Sequence, residues 1–406
     1  MLATESKVKK ELENGEALSI VSLIDHLIEH AHKVAASDIH LDFNEKLVRV
    51  RLRIDGILQD TFVFPKSISY EVISRIKVLS GLRTDEHQTP QDGRFRIIIP
   101  DAGPVDVRVS IVPAYHGENA VLRLLSDKVE QFDLGALGFS KNDQSKIMKA
   151  IKKPSGMILA TGPTGSGKTT TLYTLIKTLS TKEVSIITIE DPVEYAIEDI
   201  KQIPVNPRIG FTFANGLRSI LRQDPNVIMV GEIRDSETAG IAVNTALTGH
   251  LLLSTLHTND AATTLPRLLD MRIEPYLVAS TVNIAIGQRL VRKICAACKT
   301  AKKLTKSEEA SLSENLPKES LDKISQLYYG KGCDLCNSSG YKGRIGINEV
   351  LEIDGEIRDA ILRKASAAEI KAIAVKNGMT TMLNEGLEKV RSGLTTIAEV
   401  MRVVHE

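Results

Sequence analysis

Residues 162–169 read Gly-Pro-Thr-Gly-Ser-Gly-Lys-Thr, an octet that satisfies the pattern G-x-x-x-x-G-K-[ST]. Nothing else in the chain constrains the fold as tightly. The pattern functions only where a buried strand runs into it and a helix leaves it, so that backbone N–H groups and the positive end of the helix converge on phosphate oxygens. Both flanks comply. Residues 157–161 (Met-Ile-Leu-Ala-Thr) form a short apolar run suited to a buried strand, and residues 169–179 contain neither Gly nor Pro and suit a helix. Gly162, Gly165 and Gly167 allow the tight turn, with Pro163, Thr164 and Ser166 between them and Thr170 opening the helix. Lys168 is spaced to reach the β- and γ-phosphates of a nucleotide, and the Thr169 hydroxyl to ligate Mg²⁺.

Three downstream segments carry polar groups at the ends of apolar strands. Residues 226–232 (Asn-Val-Ile-Met-Val-Gly-Glu) end in Glu232, a Walker B pattern whose terminal acid reaches Mg²⁺ directly or through water. Residues 186–195 run from a β-branched strand into Glu190, Asp191 and Glu194. Clustered carboxylates at a strand end are costly unless they meet a cation or activate water. The strand 251–256 has His250 before it and His257 after it. Both histidines are candidates for sensing the phosphate state. Ligands of open parallel sheets bind at the carboxyl ends of the strands, so all three segments belong to one candidate site.

In order, these segments resemble the Walker A, Asp box, Walker B and His box of the secretion ATPase superfamily, whose members power type II secretion, type IV pilus assembly and retraction, and type IV secretion. The resemblance continues outside the boxes. Residues 36–40 (ASDIH), 51–56 (RLRIDG), 90–94 (PQDGR) and 106–110 (DVRVS) resemble the family's N-terminal domain. Residues 216–225 resemble its arginine-bearing helix and 378–400 its C-terminal helices, so that about 18–404 is covered. The resemblance implies a RecA-like α/β P-loop ATPase core behind an N-terminal α+β, PAS-like domain, assembled as a hexamer. It implies ATP, Mg²⁺ and a cytoplasmic ring at the inner membrane that drives pilin or pseudopilin assembly through a platform protein. By position in the Asp box, Glu194 is expected to polarise the attacking water, with Glu190 and Asp191 as alternates. Glu232 would hold the metal or its water shell, and His250 and His257 would sense phosphate or couple the ring. Longer family members carry a further N-terminal module. Here the shared domain begins near residue 18, so that module is expected to be absent.

Composition limits the alternatives. Net charge is +1, only 4% of residues are aromatic and there is no Trp, so neither a polyanion-binding charge bias nor a base-stacking platform is evident. A DNA-handling or conjugation-type P-loop motor is therefore the lesser alternative. The sequence holds no run of 18 apolar residues and no signal peptide, which points to a cytosolic chain that reaches a membrane through partners, without direct insertion.

All four cysteines fall into two C-x-x-C pairs, Cys295/Cys298 and Cys333/Cys336, with 34 residues between. Two such pairs supply the four thiolates of a tetrahedral, closed and hence structural zinc site. Two disulfides or four free thiols are the alternatives, and a reducing cytosol disfavours the first. Gly332 and Gly340 flank the second pair, and residues 308–327 are compatible with a small helical element in the insert. The resemblance adds that such an insert is typical of secretion and pilus-extension ATPases and missing from retraction ATPases.

The expected division is a tail or leading helix over 1–17, an α+β domain over 18–125, a linker over 126–142, the ATPase core over 143–290, the zinc insert over 291–345 and C-terminal helices over 346–406. No arginine of the core is obviously beside its own phosphate loop. Arginines expected to complete the site from a neighbouring domain or subunit are Arg94 and Arg108, with Arg123 weaker, while Arg218 and Arg222 share a predicted helix and suit either nucleotide or interface contact.

Overall fold

The computed structural model describes residues 3–100, 102–125, 133–303 and 326–404. The chain forms two compact units, Met1–Glu130 and Gln131–Glu406.

In the first unit, alternating apolar and polar residues build six strands: β1 (Ala36–Phe43), β2 (Leu47–Ile54), β3 (Ile57–Pro65), β4 (Gln91–Ile99), β5 (Gly103–Ala114) and β6 (Gly117–Leu125). They pair antiparallel in the order β3-β2-β1-β6-β5-β4. In β2 the period-two pattern sends Val48, Val50 and Leu52 into the core and Arg49, Arg51 and Arg53 to the other face. Two helices cover the apolar face, packing Leu23, Ile24, Leu27 and Ile28 of Ile20–Lys33 and Val72, Ile73 and Ile76 of Ser69–Ser80 into the same core. The first of these helices starts where the Ser19 hydroxyl accepts a bond from the Ser22 N–H. Residues 3–13 also belong to this packing. They form a helix whose Val8 is fully buried in that core and whose Thr4 hydroxyl bonds the His30 ring at 3.0 Å.

The second unit is a seven-stranded sheet in the order β15-β12-β7-β11-β10-β8-β9. Its strands are β7 (Gly156–Thr161), β8 (Ile186–Glu190), β9 (Lys201–Pro204), β10 (Val227–Val230), β11 (Leu251–Leu256), β12 (Val282–Ile294) and β15 (Tyr341–Glu352); a separate hairpin pairs β13 (Lys299–Lys302) with β14 (Leu327–Gly330). Strands β12 to β9 run parallel, and β15 closes the edge antiparallel to β12. Buried on both sides, the central strands β7, β8, β10 and β11 lack polar alternation. Met157 and Leu159 face one core with helix Ser236–Leu247, whereas Ile158 and Ala160 face the other with Leu172, Tyr173 and Ile176 of helix Lys168–Leu179.

Three expected boundaries shift. The linker was expected to reach residue 142, but Leu134, Leu137 and Phe139 are buried in the second unit's core and the helix Lys141–Ile151 follows directly. The expected edges of the metal insert, at 291 and 345, fall inside β12 and β15, whose pairing continues to Ile294 and Tyr341. Strand pairing overrides the local composition there, so the metal-bearing segment is the connection between these two strands. The helical element expected over 308–327 lies almost entirely outside the described residues, and Leu327 opens β14. Four helices, Gly355–Leu362, Ala367–Lys376, Met382–Arg391 and Ile397–Val404, complete the unit as expected.

Candidate active site

The parallel registers Leu256↔Thr161, Val230↔Ser254 and Val230↔Ile189 align the carboxyl ends of β7, β11, β10 and β8. The four boxes therefore meet along one edge of the sheet. The phosphate loop leaves β7 and enters the helix at Lys168. Gly162 has φ 145°, and a Cβ there would stand 2.4 Å from the Gln288 carbonyl oxygen and 3.1 Å from an Arg289 guanidinium nitrogen, which only glycine avoids. Among the described residues the buried Ser166 hydroxyl has no hydrogen-bond partner. Lys168 Nζ donates to the carbonyl oxygens of Gly162 (2.7 Å) and Pro163 (2.9 Å), which stand in for the phosphate oxygens such a lysine binds. Burial, helped by the charge of Arg289 and opposed by Glu232, pushes Lys168 down to about 8. An unsatisfied hydroxyl, a cation held by weak acceptors and a glycine cradle together fit a bound polyphosphate.

Glu232 stands two residues past β10, largely buried, with Arg234 Nε 2.6 Å and His257 Nε2 3.2 Å from its Oε2. The segment after β11 is tied to the phosphate-loop strand, since the Thr161 hydroxyl donates to the carbonyl oxygens of Leu256 and Thr258 and accepts from the Thr258 N–H. A cleft of about 180 Å³ opens between Gly162, Pro163, His257, Thr258, Asn259 and Arg289.

The acids of the Asp box separate by environment. Glu190 is buried at 2% exposure, and its carboxylate accepts bonds from the hydroxyls of Tyr173 and Thr188 and from Gln202. Asp191 and Glu194 are exposed on the following loop. Glu190 is thus a packed acceptor, unsuited to the role of alternate water-polariser.

Two expectations need correction. His250 does not share the site with His257. It precedes β11, with Nδ1 3.2 Å from the Thr245 carbonyl oxygen, at the strand end remote from the loop. Seven residue steps of about 3.3 Å separate the two histidines by about 23 Å. Nor is the core without an arginine beside its loop. Arg289, 5% exposed on β12, lies against Gly162, and its neighbour Gln288 accepts a 2.8 Å bond from Thr171. The available signal was the Gln-Arg pair directly after the apolar run Ile284–Gly287, which is costly in a core unless it serves a polar site.

In the first unit, β4, β5 and β6 place Arg94 directly opposite Arg108, and Arg108 opposite Arg123. Opposed residues share a face, so three guanidinium groups stand in a row. Arg123 is neutralised by Asp38 at 2.8 Å. In the second unit, Arg218 pairs with Glu237 at 2.8 Å, while Arg222 lies beyond the end of helix Phe213–Ile220 and donates to the Arg218 carbonyl oxygen.

The four thiols converge. The Sγ atoms of Cys295, Cys298, Cys333 and Cys336 lie within 4.8 Å of one another, with pairs at 3.7, 3.8 and 3.9 Å. Those separations are too long for disulfides and match the edge of about 3.8 Å of a tetrahedron with 2.3 Å metal–sulfur bonds. Backbone N–H groups of Cys333 and Gly340 point at Cys336 Sγ and, against the effect of burial, bring that thiol down to about 7, whereas burial pushes Cys298 up to about 12. Among the described residues no helix is long and apolar enough to cross a membrane.

Comparison with known proteins agrees with this geometry. Residues 13–402 match the family model described as Type II/IV secretion system protein. The chain is 44% identical over 395 residues to the type II secretion system ATPase E of Vibrio cholerae, covering 97% of this chain and 77% of that one. It is 42% identical over 400 residues to the type IV pilus assembly ATPase PilB of Myxococcus xanthus, covering 97% and 70%. Among solved structures, the pilus retraction motor PilT with bound ADP superposes with TM-score 0.63 at 26% identity over 94% of this chain and 95% of that one. The Legionella pneumophila ATPase DotB, at 22% identity, shares the fold with TM-score 0.68 over 94% and 95% of the two chains. With a family model spanning both units and relatives above 40% identity, the chain belongs to the type II/IV secretion system protein family.

Proposed function

We propose that this chain is the ATPase that powers pilin or pseudopilin assembly in a type II secretion or type IV pilus system. It works as a hexameric ring at the cytoplasmic face of the inner membrane, where a platform protein receives the motion of the first unit relative to the second. The observation that carries the reading is the meeting of the phosphate loop, Glu232, His257 and the acidic loop at the ends of four adjacent parallel strands.

Lys168 holds the β- and γ-phosphate oxygens, and Arg289 adds a second fixed cation from β12. Thr169 and Glu232 would hold Mg²⁺, which would supply positive charge to offset that of the phosphates. Glu194 orients the attacking water. His257, in contact with Glu232, senses the change at the γ-phosphate position, and His250 retains ring coupling as its role. Arg94 and Arg108 complete the site in trans. Their support is their placement opposite each other on β4 and β5, which puts two arginines on one face of the first unit's sheet. Zinc held by the four thiols would be structural, because Cys295, Cys298, Cys333 and Cys336 would supply all four ligands of a tetrahedral site.

The test is ATP turnover by the assembled protein. Lys168→Ala should fold, retain its oligomeric state and lose turnover. Wild-type ATPase activity in folded Lys168→Ala would refute the assignment.

A further inference from the structure

Tyr173 is the largest fully buried side chain described, and it lies on the helix that begins at Lys168. Its ring and that of Tyr195 meet edge to face at a centroid distance of 4.7 Å and an interplanar angle of 85°. Burying a phenol requires a partner for its hydroxyl. Here the hydroxyl serves as a hub. It donates to Glu190 Oε2 and accepts from the Glu194 N–H at 3.4 Å and from Gln202 Nε2 at 3.4 Å. Gln202, on β9, also accepts from the Ile197 N–H at 2.7 Å and donates to the Tyr195 carbonyl oxygen at 3.1 Å. Lys177, one turn beyond Tyr173, rests its ammonium 5.1 Å from the Tyr195 ring centre.

Glu190 is the other half of the arrangement. A buried carboxylate normally meets a cation, yet among the described residues no Lys, Arg or His is ion-paired with it. Its acceptors are filled by the Tyr173 and Thr188 hydroxyls and Gln202. It therefore cannot approach a water molecule at the nucleotide. What it can do is hold the tyrosine hydroxyl in one rotamer, so that the oxygen lone pairs face the Glu194 backbone.

We propose that Tyr173, braced by Glu190 and Gln202, is a positioning residue that clamps the Glu194 segment onto the phosphate-loop helix. The inference rests on the reading of Glu194 as the water-orienting group. The same helix that carries Lys168 and Thr169 against the phosphates thereby sets the main chain of Glu194. The distance from water-orienting carboxylate to phosphate is fixed by one rigid element instead of by a free loop. Misplacement of about 1 Å costs on the order of 10²-fold in rate.

The test compares Tyr173→Phe, Glu190→Gln and Gln202→Leu in the full chain. Each should lower kcat by about 10- to 100-fold while KM for ATP and the Kd of a fluorescent ATP analogue stay within about threefold. Gln202 lies partly exposed, so its variant keeps the test alive if Tyr173→Phe does not fold. The decisive measurement is a double-mutant cycle. If Tyr173 acts through Glu194, Tyr173→Phe costs nothing further in kcat once Glu194→Gln is present; a residue with a general structural role would multiply the loss. Wild-type kcat in Tyr173→Phe beside an inactive Glu194→Gln, or multiplicative losses, would overturn the clamp alone. Full turnover by Glu194→Gln would instead overturn the Glu194 assignment and the positioning argument with it.

Discussion

Lys168 makes ATP affinity depend on pH in a defined way. Without nucleotide, its ammonium is buried, sits near Arg289 and titrates at about 8 in place of 10.5. Bound phosphates supply the negative charge that the carbonyl oxygens of Gly162 and Pro163 supply weakly, so binding restores the pKa to its ordinary range or above. Only the protonated lysine binds well. The apparent Kd then scales as one plus ten to the power of pH minus 8, which makes ATP binding about twofold weaker at pH 8 and about tenfold weaker at pH 9 than at pH 7. Folding stability runs the opposite way. The unfolded chain holds the Lys168 proton up to 10.5 and the folded one only to about 8, so this group's penalty is full below pH 8 and is relieved as pH rises from 8 to 10.5. Titration with a slowly hydrolysed, fluorescent ATP analogue between pH 7.5 and 9.5 measures the first effect, in a range where the nucleotide's phosphates are already ionised. Calorimetry in buffers of different ionisation enthalpy should show about 0.9 protons taken up per ATP at pH 9 and about 0.5 at pH 8. In Lys168→Ala both dependences should vanish. A Kd that is flat from pH 7.5 to 9, with no proton uptake, would refute the argument.

Three further outcomes follow from the same geometry. Glu194→Gln should bind ATP with near-normal Kd and hydrolyse it about 10²- to 10⁴-fold more slowly, and single-turnover kinetics would separate the two. Mixing Lys168→Ala with Arg94→Ala or Arg108→Ala chains should restore part of the ATPase rate, because some interfaces then pair an intact loop with an intact arginine; an inactive mixture that still forms rings would place the finger within one chain. Freshly purified, reduced protein should contain one zinc per chain by elemental analysis, and stripping it should raise hydrogen exchange over 295–303 and 326–340 while β12 and β15 stay protected, with exchange spreading to Val291 and Ile347 as the contrary result.

The sheet edge was readable because each box joins an apolar run to a chemically committed residue. Met157–Leu159 must be buried, Lys168 must meet oxygen acceptors where it is buried, and the parallel topology that reconciles them also aligns Glu232 and His257. Period alone did not tell which end of β11 faces the nucleotide, since His250 and His257 bracket the strand symmetrically in sequence. Direction came from the pairing of Leu256 with Thr161. Arg289 escaped notice for a related reason. It is brought to the loop by β12, which hydrogen-bonds to β7 although more than a hundred residues separate them, and no local pattern encodes that adjacency. The separation of Glu190 from Glu194 was equally illegible. Both are acids at a strand end, and their division into buried acceptor and exposed carboxylate depends on Tyr173 and Gln202 from two other elements.

Strand β12 links the two chemistries of the second unit. Its Gln288 and Arg289 touch the phosphate loop, and it delivers Cys295 to the metal cluster six residues beyond Arg289, about 20 Å along the strand. The intervening stretch is stiff. It pairs with β15 from Ile284 to Ile294, Val291 and Ile347 are buried against helices Met382–Arg391 and Ile397–Val404, and Arg292 is locked to Glu399 at 2.8 Å. Against its burial, hydrogen bonds from the partly exposed Arg402 and Arg292 hold Glu399 down to about 2, so this lock persists far below neutral pH. A ribbon of this kind resists bending more than a loop does, and its far end is closed by four thiols and not by an apolar core. Metal binding would therefore fix the end of the ribbon without adding to the packing near the phosphate loop. A metal held there would organise the connection between β12 and β15, while the ribbon itself is secured by pairing and by the C-terminal helices.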